Sequence, residues 1–272
     1  MQRTRQHWQE VPLIVPPTGK PQRPISMLYR KLPPQSVVAA HSHNWGQLVY
    51  ASTGVLDVTT SSGRYLVPPH RAVWVPPEHP HEISSIHGAE ISSVYITTDE
   101  AHSLANHCYV LEVSLLLREL ILEALRRPSE YEWLSSTGRL FRTLRDQVIG
   151  ANPVPLHLPS PSDSRLQKIC TELQNHPERK RNLEQWGKFA GASSRTVQRL
   201  FLKETGLSFR SWRQQLRLQI ALQRLATEQH SVTRIASDLG YESSSAFISM
   251  FQQQLGVTPG EYAKSFKQTP PF

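Results

Sequence analysis

Residues 183–209, "LEQWGKFAGASSRTVQRLFLKETGLSF", and residues 232–259, "VTRIASDLGYESSSAFISMFQQQLGVTP", are written in one grammar. Gly191 and Gly240 stand 49 residues apart; Phe201 and Phe251, and Gly206 and Gly256, stand 50 apart. Each copy reads as a short amphipathic helix, a glycine turn, a serine-led second helix with a Phe at the matching position, and a closing glycine. So tight a turn needs a residue at ease with positive φ. Ser193 and Ser243 stand where a side-chain oxygen caps the second helix. The spacing predicts a helix-turn-helix repeated once, and restricts residues 165–272 to an all-helical fold. Between the copies, "SFRSWRQQLRLQIALQRLA" puts Phe209, Trp212, Leu216, Ile220 and Leu225 on one side of a single helix. About eighteen helical residues span roughly 27 Å. That length suits a rod setting two helices into successive major-groove segments, roughly 34 Å apart on one face of a duplex.

Charge divides the chain at the same place. Residues 1–163 hold 14 Lys+Arg and 14 Asp+Glu, whereas residues 164–272 hold 16 and 8, which is the whole formal +8. A basic half attracts polyanions, nucleic acid or an anionic membrane surface. No run of about 18 apolar residues is present, so no membrane partner is expected. Met1–Glu10 is polar rather than signal-like. The chain's 2 cysteines, Cys108 and Cys170, lack CxxC spacing and predict reduced thiols in a cytoplasmic protein. The proline-rich "ANPVPLHLPSPSDS", 151–164, falls where the charge changes and reads as a semi-extended linker.

Upstream, the periodicity is that of strands. "ISMLYRK", "GQLVYA", "GVLDVTT", "RYLV", "RAVWVP" and "EISSVYIT" are β-branched and aromatic, broken by Pro, Gly and Ser, as in a sandwich or small barrel. From Leu111 the period turns helical: Leu116, Leu117, Leu120, Ile121 and Leu125, then Leu140, Phe141, Leu144 and Val148. Such stripes cover one end of a β domain, and the first is also suited to pairing two subunits.

"HSHNWGQ" places His41, His43 and Gln47 at one strand parity. The stretch from His41 through Gln47 to Gly54 resembles the first motif of cupins, small barrels with a central cavity. "GRYLVPPHRAVWVPPEHPHEI" resembles the second, with His81 at its histidine position. Three imidazoles and one oxygen suit Zn, Fe, Mn, Ni or Cu. Two departures weaken an enzymatic reading. Gln47 stands where cupin enzymes usually place Glu, removing a negative charge, and His70 replaces the second motif's usual Gly.

The helical repeat, with its "A…LGY-x-S-x-S-x-F…F…G-x-TP-x-x-Y" pattern, resembles the DNA-binding domain of the AraC/XylS family of bacterial transcription regulators. The resemblance implies base contacts from Arg195, Gln198 and Arg199; Arg suits guanine O6/N7 and Gln suits adenine N6/N7. Thr196 and Lys203 suit phosphate contact. The second recognition helix, Ser243 to Gln254, has no Lys or Arg. Its outward residues by analogy are Ser244, Ser245, Ile248 and Ser249, so the first copy is expected to carry most of the base specificity. Gly187 stands where the family usually packs an Ala, a change expected to cost helix stability.

The implied fold class is α+β in two domains: a cupin-like β-barrel with a helical segment, then an all-α double helix-turn-helix. The expected parts are a sensing barrel at 1–110, a helical dimerisation segment at 111–150, the linker at 151–164 and the DNA-binding domain at 165–272. The implied function is sequence-specific regulation of transcription, as activator or repressor, by a protein that is not an enzyme. Its implied partners are double-stranded DNA, a small-molecule effector, a second copy of the chain and, for an activator, RNA polymerase. His41, His43, Trp45, Gln47, Tyr50, Trp74 and His81 are the candidate effector-pocket residues. No cofactor is required, although His41, His43, Gln47 and His81 are candidate ligands for a divalent transition metal. The competing reading is a cupin metalloenzyme with an accessory nucleic-acid-binding domain.

Overall fold

The computed structural model describes residues 8–13, 23–226 and 231–267. Only the last three residues of the polar segment Met1–Glu10 lie inside that range. The chain divides between His157 and Leu158 into a sheet half and a helical half.

The sheet half contains strands β1 (Gln9–Glu10), β2 (Ile25–His41), β3 (Gly46–Gly54), β4 (Leu56–Thr60), β5 (Gly63–Val67), β6 (Arg71–Val75), β7 (His81–Ile96), β8 (Tyr109–Glu112) and β9 (Pro153–Val154). Helices α1 (Thr98–Ala101), α2 (Leu115–Leu125) and α3 (Ser136–Ile149) accompany them. The spine is β7. It runs antiparallel to β2 along its length, and on its other edge to β4 at its start and β3 at its end. From β3 the sheet continues through β6 and β8 to β9, curling into a half-barrel.

Side chains alternate across a strand, so register assigns the two faces. Gln47 pairs with Val75 and Tyr95, and Val49 with Val73 and Ser93, on the inner face. Leu48 pairs with Trp74 and Val94, and Tyr50 with Ala72, on the outer face. That outer face packs on Leu117 and Ile121 of α2 and on Phe141, Leu144 and Val148 of α3. Each such side chain, fully buried, contributes about 1.5–3 kcal/mol. The Trp74 ring fills the space beside Gly46, where a Cβ would lie 2.0 Å from it.

Two expectations change here. Leu111 and Glu112 are not helical; they belong to β8, paired with Ala72 and Arg71. Helix α2 starts at Leu115, where the Ser114 hydroxyl accepts the Leu117 N–H. Its buried stripe is Leu117, Ile121 and Ala124, which leaves Leu115 75% and Leu116 54% exposed. The proline-rich stretch, read as a semi-extended linker, is tied down near both ends. Pro153 and Val154 pair with β8, whereas Leu158 sits in the core of the helical half.

The helical half contains α4 (Ser164–Asn175), α5 (Leu183–Ala190), α6 (Ser194–Thr205), α7 (Phe209–Leu225), α8 (Val232–Asp238), α9 (Ser244–Leu255) and α10 (Pro259–Lys267). Trp186, Phe201, Trp212 and Leu216 form a core with Leu166, Ile169 and Leu173 of α4. In the second copy Phe247 and Phe251 are fully buried, their rings 5.8 Å apart, with Tyr262 on Phe251. Ser193 accepts the Thr196 N–H and Ser243 the Ala246 N–H, both at 3.1 Å. Gly187 has a positive reason to be glycine. A Cβ there would lie 2.5 Å from the Ala192 carbonyl oxygen, so the close α5–α6 turn offsets its poor helix propensity.

Cys108 and Cys170 are buried, one in each half. Burial pushes the Cys108 thiol up to about 12 and the Cys170 thiol upward as well. Among the described residues no helix is long and apolar enough to cross a membrane.

Candidate functional site

In the sheet half, the end of β2, the loop that follows it, the start of β3 and the start of β7 bring His41, His43, Gln47 and His81 together. The ligating nitrogens of the three histidines lie within 4.8 Å of one another. Each ring is tied through Nδ1 to a backbone carbonyl: His41 to Ala39 at 2.8 Å, His43 to Trp45 at 2.7 Å, His81 to His79 at 2.9 Å. A carbonyl only accepts, so Nδ1 carries the proton in each ring and Nε2 keeps its lone pair. Gln47 Oε1 lies 3.0 Å from His43 Nε2 and 3.2 Å from His81 Nε2, and Gln47 Nε2 donates to Ser93 Oγ at 2.9 Å. Acceptor faces acceptor. Two arrangements satisfy the cluster: a cation among the four atoms, or a Gln47 amide turned so that its NH2 donates to both rings and Ser93 donates to its oxygen.

Burial pushes His81 down to about 3 and also lowers His41, which keeps both rings neutral near pH 7. Trp45 stacks on His43 at 4.7 Å with an interplanar angle of 2°, and Tyr95 meets both rings edge-on. The buried Trp45 Nε1 has no hydrogen-bond partner among the described residues. An orphaned buried donor costs about 1–3 kcal/mol.

Five of the seven residues anticipated for this pocket therefore converge: His41, His43, Trp45, Gln47 and His81. Tyr50 and Trp74 do not. They occupy even positions of β3 and β6, which strand alternation turns outward onto α2 and α3, and Trp74 Nε1 donates to the Ala105 carbonyl. Tyr95 and Ser93 belong to the site and were not anticipated. Their signal lay in register, since β7 sets them beside Gln47 and Val49. His70 adopts φ 64°, the left-handed backbone that explains why the related motif favours glycine there.

In the helical half, Arg195, Gln198, Arg199 and Lys203 lie exposed on α6, and none is hydrogen-bonded or ion-paired to a described residue. Thr196 is half-buried, its hydroxyl 2.9 Å from that of Ser193 in the cap. Leu202 adds an unforeseen exposed apolar side chain, 61% accessible, to this face. On α9, Ser245, Ala246 and Ser249 are exposed, whereas Ser244 and Ile248 are half-buried.

Residues 24–132 match the model of the AraC-like ligand binding domain and residues 186–265 that of a helix-turn-helix domain. The chain is 38% identical over 224 residues to the HTH-type transcriptional regulator NimR of Escherichia coli K12, covering 82% of this chain and 81% of that relative. It is 32% identical over 104 residues to the HTH-type transcriptional regulator RipA of Corynebacterium glutamicum, covering 38% of this chain and 31% of RipA. Among solved structures, ToxT of Vibrio cholerae O395 is similar over 90% of this chain and 99% of its own, at 14% identity and a TM-score of 0.40.

Proposed function

This chain belongs to the AraC family of transcriptional regulators, with a ligand-binding half and a DNA-binding half, and we propose which residues carry each task. The exposed, unpartnered polar face of α6 is the observation that carries the DNA assignment. Arg195, Gln198 and Arg199 read base edges, and Lys203 and Thr196 hold phosphate. Helix α9 contributes Ser245 and Ser249, with Ser244 at its margin.

The effector sits on the inner face of the half-barrel against His41, His43, Trp45, Gln47, His81 and Tyr95. Its support is the three Nε2 lone pairs that converge on the inner face and the orphaned Trp45 N–H beside them. The donor set also fits a divalent transition metal: three Nε2 atoms whose Nδ1–H groups are anchored on carbonyls, and the Gln47 oxygen. A metal there would supply a Lewis acid toward an effector's lone pair. Leu115 and Leu116, exposed on α2, support a dimer contact. RNA polymerase as a partner of an activator, and a cytoplasmic location, follow from the regulator reading.

The decisive experiment is mapping of the protein's bound sites across a genome, followed by titration of the strongest site against competitor DNA. A specific site that survives competition is expected. Sequence-indifferent binding with a steep salt dependence would sink the reading. For the inner-face site, chelator-treated protein is titrated calorimetrically with Zn(II), alongside His41→Ala and His43→Ala. One equivalent bound by the parent and lost in both variants supports the metal arrangement; no uptake leaves the turned Gln47 amide.

A further inference from the structure

Helices α6 and α9 enclose a cleft of about 930 Å³ with α7 as its floor. Gln198 and Leu202 form one wall and Ser249 part of the other, so the cleft is continuous with both recognition faces. Arg210, Arg213 and Arg217 line the floor, and Arg181 lies at its margin. No Asp or Glu is among the lining residues.

The arginines divide into two kinds. Arg217 donates through Nε and Nη2 to the Pro177 carbonyl, at 3.2 and 3.1 Å, and lies 5.2 Å from the Tyr241 ring centre. Arg213 donates to the Arg179 carbonyl, and Arg181 stacks over Trp186 and Phe189 at 5.0 and 4.6 Å. These three bind the α4–α5 connection to its surroundings. Arg210 is exposed and makes no hydrogen bond or ion pair with a described residue. Burial, first among the causes, and the neighbouring Arg217 push Arg213 down to about 10, with Tyr241 opposing them. Such a cluster is relieved by an anion, and a polyanion already lies along both walls on the reading above.

We propose that this cleft seats the phosphodiester backbone joining the two DNA segments that α6 and α9 enter, with Arg210 as its phosphate contact. The proposal rests on that reading of α6 and α9. Arg210 touches backbone and no base edge, so its contribution is the same on every sequence. It lowers Kd without sharpening selectivity, and adds one neutralised phosphate to the salt dependence.

The test uses the full chain, a duplex it selects from a random-sequence pool, and a scrambled duplex of equal length. Arg210→Gln is expected to weaken both duplexes about tenfold at low salt and to reduce the salt slope by about 1, leaving their ratio unchanged. Neutral methylphosphonates are then walked along the selected duplex. One between the two recognised segments should cost the parent protein a similar factor and cost Arg210→Gln nothing further. An unchanged slope in Arg210→Gln, or losses that simply multiply, overturns the phosphate contact while leaving the regulator reading intact. Failure of the parent protein to select any duplex overturns both.

Discussion

The two helix-turn-helix copies share a backbone and divide its chemistry. Helices α6 and α9 both run 12 residues, start from a serine cap and end on a left-handed glycine, Gly206 or Gly256. Each buries one Phe at the matching position, Phe201 or Phe251. Outward, α6 carries Arg195, Gln198, Arg199 and Lys203, whereas α9 carries Ser245, Ala246, Ser249, Gln252 and Gln253 and no cation. The positions that fold the unit are therefore separate from the outward ones, and the two copies agree in the first set and differ in the second. Short hydroxyls reach a phosphate or a close base edge; long guanidinium and amide groups reach across a groove.

The largest expected effect tests what the copies share. Phe201→Ala and Phe251→Ala should each cost about 3–5 kcal/mol in urea unfolding; a much smaller loss at either position would show that the two cores are not equivalent. Next comes what they do not share. Arg199→Ala should weaken the specific complex about tenfold or more, while Ser249→Ala changes it less than about threefold, in gel-shift titrations at fixed salt. Equal losses would break the asymmetry.

The smallest effect sets apart the acid behaviour of α4 and α10, the helices that flank the two copies. Hydrogen bonds from Arg165, first among its causes, hold Asp163 at the N-cap of α4 down to about 2 from 3.8. Its contribution is complete above pH 3.8 and is lost as pH falls through about 2. Glu261, which accepts the Thr258 N–H and hydroxyl at the start of α10, is lowered in the same direction. In Asp163→Asn, the acid-side loss of amide-exchange protection should flatten in α4 and persist in α10. Flattening in both would mean that α4 and α10 open together.

Much of this was legible in the sequence because helix grammar is local. A cap, a turn glycine and a 3.6-residue stripe lie within a few residues of one another, so every helix of the repeat could be anticipated. Gly187 was not, because its reason is a carbonyl across the turn rather than anything in its own helix. The half-barrel was legible as strands, yet its faces were assigned by register between distant strands. Hence His41, His43, Gln47 and His81 were found by motif, while Tyr50 and Trp74 pointed to the wrong side and Tyr95 was missed. Pro33 and Pro34 concealed the length of β2, which runs through both, with Gln35 taking up φ 53°. The linker was legible only in part: its prolines show that it is extended, and only its partners show that it is pinned.

The two cysteines give the molecule a pair of internal clocks. Each half holds one thiol, buried and shifted away from the reactive thiolate, so an alkylating reagent waits for the surrounding structure to open. The labelling rate at Cys108 times the opening of the sheet half, and that at Cys170 times the opening of the helical half. Both are read from one sample by mass. Adding a small molecule or a duplex then shows, without any engineered probe, which half each one steadies.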